Sequence, residues 1–380
     1  MSSKKPTTTE TQTVNVLLLG IYAPYNRKID QQDYFEEFLN LVKTADVKHH
    51  AIFFTKLRSI DKGRFLTKGK LQDLVKECEK YDIDEIICSE ILTPLQERNL
   101  EDLTGKKVYD REELILEIFR NAAHTSEGKI QVEMAEIEYL KTRIAGKGIH
   151  LAQQAGHIGT RGPGETEKEY LTRHLAEKTR QAKKRLKTLQ KTRDVQRKRR
   201  LDSNVPLACL IGYTNAGKSS ILNQLTKSNV IVEDKLFATL DTTTRELFID
   251  DKAFDPKQKM QKILLSDTVG FINQLPHHLI EAFKSTLSEL QYAHLLLHVV
   301  DISNHAWKNQ INVVKKTLED LGDGDKKVLY VFNKIDKIPE ESLEILNEEL
   351  QNYQPHIKTH ATSKEGLAEL VSFFKNYKFI

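Results

Sequence analysis

Gly212-Tyr213-Thr214-Asn215-Ala216-Gly217-Lys218-Ser219 is spaced G-x-x-x-x-G-K-[ST]. In that spacing backbone N–H groups close around phosphate oxygens. The surroundings fit. Pro206 to Ile211 is a short apolar run, expected as a buried strand. Ser220 to Leu225 reads as the first turns of a helix, whose N-terminus adds a positive dipole end. Lys218 is placed to reach the outer phosphates, and the Ser219 hydroxyl to hold Mg²⁺.

Further along, Ile263 to Ser266 is a strand-like run that ends in Asp267-Thr268-Val269-Gly270. A carboxylate there suits Mg²⁺, directly or through water, and the Gly270 N–H can sense a terminal phosphate. Another apolar run, Val328 to Phe332, ends in Asn333-Lys334-Ile335-Asp336. Guanine shows two adjacent donors, N1–H and N2–H₂, and one carboxylate accepts both. Adenine lacks that pair, so Asp336 selects guanine. Thr362-Ser363-Lys364 then precedes a final helix and is expected to close over the base.

These spacings read as a GTPase of Ras-like architecture, with Lys218 and Gly270 in catalytic roles. Phe271 follows Gly270, where Ras-like switches place a glutamine. A phenyl ring cannot orient water, so slow intrinsic turnover and activation by a partner are expected. Asn215 reads two ways. It resembles the P-loop asparagine of potassium-activated GTPases, which helps hold K⁺, and it also reads as an ordinary loop residue. Val230 to Arg245, rich in Thr and Asp towards its end, reads mostly as loop.

Residues 1–13 read as a disordered tail without the apolar core of a signal peptide. Residues 14–124 alternate strand-like and helical runs, which predicts an α/β domain with a parallel sheet. Residues 125–200 read as a long antiparallel helical hairpin. Ile130, Met134, Ile137, Leu140 and Ile144 repeat at helical spacing, as do Leu171, Leu175, Ala182, Leu186 and Leu189. Ala145 to Gly164, with six glycines, is expected as the hairpin's loop tip and holds His150, His157 and Arg161. Residues 201–205 read as a linker and 206–380 as the GTPase domain.

Arg173 to Arg200 holds thirteen Lys or Arg against two acids, Glu177 and Asp194, a balance of +11. The whole chain is +4, which leaves −7 elsewhere. Such a block points to a polyanion, here folded RNA, since few aromatic residues interleave for base stacking. Arg161, Lys183, Lys184, Arg185, Arg197, Lys198, Arg199 and Arg200 are the candidate RNA contacts. The three cysteines, Cys78, Cys88 and Cys209, lack metal-ligand spacing and read as buried thiols of a reducing compartment. No run approaches the length of a membrane span. A cytoplasmic monomer is expected.

Gly159-Thr160-Arg161-Gly162-Pro163-Gly164-Glu165-Thr166 resembles the Gly-rich signature of the HflX family of ribosome-binding GTPases. Thr93 to Glu101 and Thr125 to Glu133 are similar to that family's N-terminal part. Leu236-Phe237-Ala238-Thr239-Leu240-Asp241 and Asp267 to Ile272, with Leu275-Pro276, resemble its two switches. The chain stops at the helix after the guanine loop, so the extra C-terminal domain of many members is expected to be absent. The resemblance implies contact of Phe237 to Asp241 with nucleotide, and Thr239 as the switch threonine on Mg²⁺, with Thr242, Thr243 and Thr244 as competitors. It also implies binding to the large ribosomal subunit in the GTP state, splitting of stalled ribosomes, and release on hydrolysis to GDP. The Gly-rich tip would approach the peptidyl transferase region. Two other readings stay open: a regulatory switch with a protein effector, and an RNA-remodelling NTPase.

Overall fold

The computed structural model describes residues 14–27, 29–153, 167–202, 205–226, 235–237, 242–249, 261–276, 279 and 289–379. The chain divides into two compact units, Met1–Leu114 and Ile115–Ile380.

The first unit is α/β. Its strands are β1 (Val16–Tyr22), β2 (Ala51–Lys56), β3 (Glu85–Cys88) and β4 (Lys107–Tyr109). They lie in the order β2-β1-β3-β4, all parallel. Every residue of β1 is buried, as a central strand covered on both faces requires. The helices between them are α1 (Gln31–Thr44), α2 (Lys68–Lys80) and α3 (Pro94–Thr104). Local chemistry sets their ends. Asp30 caps α1 by accepting from the amides of Gln32 and Asp33. Thr93 and Gln96 form a capping box on α3, Pro94 starts it, and Gly105 ends it at φ +67. Leu17, Leu19, Leu74, Ile86 and Leu100 belong to one core, each stabilising by about 1.5–3 kcal/mol on burial. Helix α4 (Arg111–Ala122) follows.

The second unit takes in most of α4 and then two long helices, α5 (Ser126–Gln153) and α6 (Glu167–Asp202). Ile130, Ala182 and Leu186 form an apolar seam, with Met134 and Leu189 packed against it. The expected loop tip is shorter than its glycines suggest. Helix α5 runs through Gly146 and Gly148 to Gln153. Each glycine costs a helix about 1 kcal/mol relative to alanine. Residues 154–166 and the tail at 1–13 lie outside the described residues.

The rest of the second unit holds a six-stranded sheet in the order β10-β9-β8-β5-β7-β6. Its strands are β5 (Leu207–Gly212), β6 (Thr243–Ile249), β7 (Gln261–Asp267), β8 (Leu295–Asp301), β9 (Val328–Asn333) and β10 (His356–Lys358). Among the described residues, only β6 runs antiparallel to its neighbour. The Thr-rich stretch through Arg245 reads as loop in the sequence, but β6 begins at Thr243. Its Leu247 and Ile249 are buried and alternate with exposed Glu246 and Phe248. Helices α7 (Lys218–Thr226), α8 (Trp307–Leu321), α9 (Leu343–Leu350) and α10 (Ala368–Asn376) also lie in this part of the chain. Leu210, Leu222, Val299, Val331 and Phe374 share one core, and Trp307, Phe332 and Leu350 another. Strands β5, β7, β8 and β9 therefore deliver the ends of their chain segments to one edge of the sheet. In open α/β sheets that carboxyl edge is where ligands bind.

Candidate nucleotide site

The phosphate loop leaves β5 at Gly212, whose φ is +149. A Cβ there would sit 2.2 Å from the Val299 carbonyl oxygen of the neighbouring strand. Only glycine passes. Lys218, the first residue of α7, curls back beneath the loop. Its Nζ donates to the carbonyls of Gly212 at 3.2 Å and Tyr213 at 2.8 Å. An ammonium has three donors, so one is left for an anion. Burial pulls the Lys218 amine down to about 8, while nearby Asp267 works the other way. A bound phosphate would push it up again.

Asp267 ends β7 and is fully buried. The Ser219 hydroxyl donates to its Oδ2 at 2.5 Å. A hydroxyl and a carboxylate meeting at the sheet edge form an all-oxygen donor set of the kind a hard cation takes, so these residues fit Mg²⁺. Thr268 Oγ1 donates to the Leu210 carbonyl at 2.7 Å and pins the turn to β5. Val269 is buried beneath the turn. Gly270 passes so close that a Cβ would lie 2.9 Å from the Thr214 Cα and 3.0 Å from the Lys218 Nζ. Beyond it the chain pairs with the phosphate loop. Phe271 N–H donates to the Gly212 carbonyl at 3.1 Å, and Thr214 N–H to the Phe271 carbonyl at 2.8 Å. The Phe271 ring is 2% exposed, turned into the interior. It has nothing to offer a water molecule.

The guanine loop leaves β9. Asn333 Nδ2 donates to the Ala216 carbonyl at 2.9 Å. Lys334, at φ +63, donates to the Asn215 carbonyl at 2.9 Å and to Asp301 Oδ2 at 2.6 Å. Asp336 follows in a short 3₁₀ turn, Ile335–Lys337, with its side chain exposed and available to a base. The loop after β10 is tied to this turn through Ile335 N–H and the Thr359 carbonyl, 3.2 Å. Within it His360 Nδ1 and Thr362 Oγ1 lie 2.8 Å apart, Ser363 Oγ accepts from the Gly366 amide at 3.3 Å, and Lys364 begins the next turn.

The structure thus brings together Gly212 to Ser220, Asp267 to Gly270, and Asn333 to Asp336, with Thr362 to Lys364 tied in through Thr359. Ala238, Thr239, Leu240 and Asp241 lie outside the described residues. Phe237 is described, and its ring meets Phe119 of α4 edge to face, centroids 4.6 Å apart. That leaves its backbone, not its ring, for a nucleotide. Among the competing threonines, Thr243 and Thr244 belong to β6, and Thr244 Oγ1 lies 3.2 Å from Ser266 Oγ.

One residue of the site does not stand out in the sequence. The only signal of Asp301 is an acid closing an apolar strand, as Asp267 does. Beneath the site, His298 is buried on β8 against Tyr330, and burial holds its imidazole neutral, down to about 3.

On α6, Lys183 and Lys184 are exposed, and so are Lys187 and Lys191. Arg185 differs: it pairs with Glu133 of α5 at 2.6 Å. Arg161 and the side chains of Arg197, Lys198, Arg199 and Arg200 lie outside what the structure describes. Among the described residues no helix is long and apolar enough to cross a membrane.

Three family descriptions match the chain. GTP-binding GTPase N-terminal covers residues 32–120, GTP-binding GTPase Middle Region 122–200, and 50S ribosome-binding GTPase 207–334. A curated relative named GTPase HflX, from Caldanaerobacter subterraneus subsp. tengcongensis, is 43% identical over 307 residues, 81% of this chain and 70% of the relative. Another GTPase HflX, from Lacrimispora saccharolytica, is 42% identical over 346 residues, 91% of this chain and 79% of the relative. Among solved structures, the crystal structure of SsGBP and GDP complex is 25% identical and covers 95% of this chain and 98% of that one, at a TM-score of 0.49.

Proposed function

The chain belongs to the HflX family of GTPases and is a GTP hydrolase; from that premise we propose that its partner is the large ribosomal subunit and that it splits stalled ribosomes. The observation that carries this reading is the match of residues 207–334 to a 50S ribosome-binding GTPase. The exposed lysines of α6 support it. Lys183, Lys184, Lys187 and Lys191 stand on one helix of the middle region, and ribosomal RNA is a dense polyanion.

The site accounts for the enzymology this role needs. Asp336 reads guanine. Lys218 and the loop amides draw charge from the phosphates. Mg²⁺, held by Ser219 and Asp267, would supply positive charge to the phosphate oxygens as the bond breaks. Thr239 is proposed as the switch threonine. Phe271 contributes no polar group to the attacking water, so turnover waits for a partner that positions it. The ribosome is that partner in this reading, and the Gly-rich segment around Arg161 meets it.

The test is GTP hydrolysis with and without purified large subunits, at fixed Mg²⁺ and K⁺. Stimulation of about tenfold or more is expected, together with loss of whole ribosomes in a sucrose gradient when GTP is present. If subunits leave hydrolysis unchanged for a folded, GTP-loaded protein, the ribosomal reading fails. A switch with a protein effector then takes its place.

A further inference from the structure

The guanine loop and the phosphate loop are joined by a cation, and that cation is itself held. Lys334 donates to the Asn215 carbonyl at 2.9 Å and to Asp301 Oδ2 at 2.6 Å. Asp301 closes β8 and lies directly beside Asn333 in the parallel ladder. Its other oxygen, Oδ1, accepts from the Ser303 amide at 3.1 Å and the Ser303 hydroxyl at 2.6 Å. The carboxylate is therefore fixed in direction by its own turn before it meets the lysine. Asn215 sits at φ +60, in the left-handed region that few residues adopt. Ala216, the next residue, is held by Asn333. Two consecutive carbonyls of the phosphate loop thus hang on two consecutive side chains of the guanine loop.

Of those two tethers only one is charged. The Lys334 and Asp301 side chains are 21% and 16% exposed. A charge-assisted bond in such a place is short and directional. Without its counter-charge the lysine would turn to water and leave Asn215.

We propose that Asp301 is a positioning residue of the nucleotide site. It aims Lys334 at Asn215 and so holds the phosphate loop in its receptive form. One series of hydrogen bonds, Asp301 to Lys334 to Asn215, makes guanine recognition and phosphate recognition rise and fall together. Asp301 acts through Lys334, on binding rather than on the bond-breaking step.

The experiment is a double-mutant cycle on the full chain, with GDP and a non-hydrolysable GTP analogue titrated separately. Asp301→Asn keeps the shape and removes the charge. Lys334→Met removes the cation and keeps the stem. Each single change is expected to weaken both nucleotides by about tenfold to a hundredfold. The double variant should be no worse than the weaker single. The melting temperature without nucleotide should hardly move, and kcat at saturating GTP should fall less than affinity. Losses that multiply in the double variant, or wild-type affinity in Asp301→Asn, overturn the proposal. Should Asp301→Asn fail to fold, Asp301→Glu decides the matter. Affinity close to wild type supports the charge argument, and a loss as large as that of Lys334→Met rejects it.

Discussion

Asn333 lies so close to Gly217 that a Cβ on the glycine would stand 2.2 Å from the asparagine Nδ2. Gly217 also holds φ +95, which side chains rarely adopt. The second glycine of the phosphate loop is therefore needed twice, for the turn and for the neighbour. Gly217→Ala should lose GDP and GTP binding by more than about a hundredfold, because both the loop and the Asn333 tether must shift. Fluorescent-nucleotide titration measures it. Unchanged affinity would mean that the loop relaxes around the methyl group.

Ser219 and Asp267 share a hydrogen bond that a metal ion would have to rearrange. Their oxygens are the described donors for Mg²⁺, and a carboxamide in place of the buried carboxylate keeps the size and removes the charge. Asp267→Asn should need at least about tenfold more Mg²⁺ for half-maximal hydrolysis, and kcat should fall with it. A Mg²⁺ titration at fixed GTP checks this. An unshifted midpoint would remove Asp267 from the metal site.

The motif strands are readable because each is a continuous apolar run that ends in its functional residue. Leu207 to Gly212 and Val328 to Asn333 announce both a buried strand and what hangs from it. The middle-region seam is readable from its spacing. Strand β6 is not, because its first residues are threonines that also suit a loop. Asp301 is hidden for another reason. Its partner, Lys334, is 33 residues further on, and only the register of β8 beside β9 brings them together. Phe237 takes its expected role from its neighbours in sequence, whereas its ring answers to Phe119, far away in the chain.

Glu90 gives the first unit a pH signature. It is fully buried, accepts from the hydroxyls of Tyr25 and Tyr34, and accepts from Asn26 Nδ2 at 3.0 Å. Burial raises its pKa despite those donors and despite Arg111 nearby. The folded chain then holds this proton more tightly than the unfolded chain. Stability falls as pH rises from the ordinary glutamate pKa, about 4.3, through the raised value, and stays lower above it. Glu90→Gln cannot ionise. Urea-unfolding midpoints from about pH 4 upward should therefore show the wild type losing stability relative to the variant as pH rises. Parallel curves, or a wild type that gains, would contradict the sign.

Position on the basic helix decides which cations count. Arg185 is answered by Glu133 at 2.6 Å, whereas Lys183 and Lys184 are exposed on the same turn. A cation already paired releases little when it meets a phosphate, because it must first give up its own partner. A solvated lysine releases a counterion outright. On the proposed ribosomal reading, binding to large subunits should therefore fall more for Lys183→Ala and Lys184→Ala than for Arg185→Ala. Where either lysine meets a phosphate, its replacement should shrink the slope of log affinity against log salt by about one unit. Titrations at several salt concentrations give both quantities. The opposite ranking, with Arg185 dominant and the lysines silent, would show that α6 meets its partner through the face shared with α5.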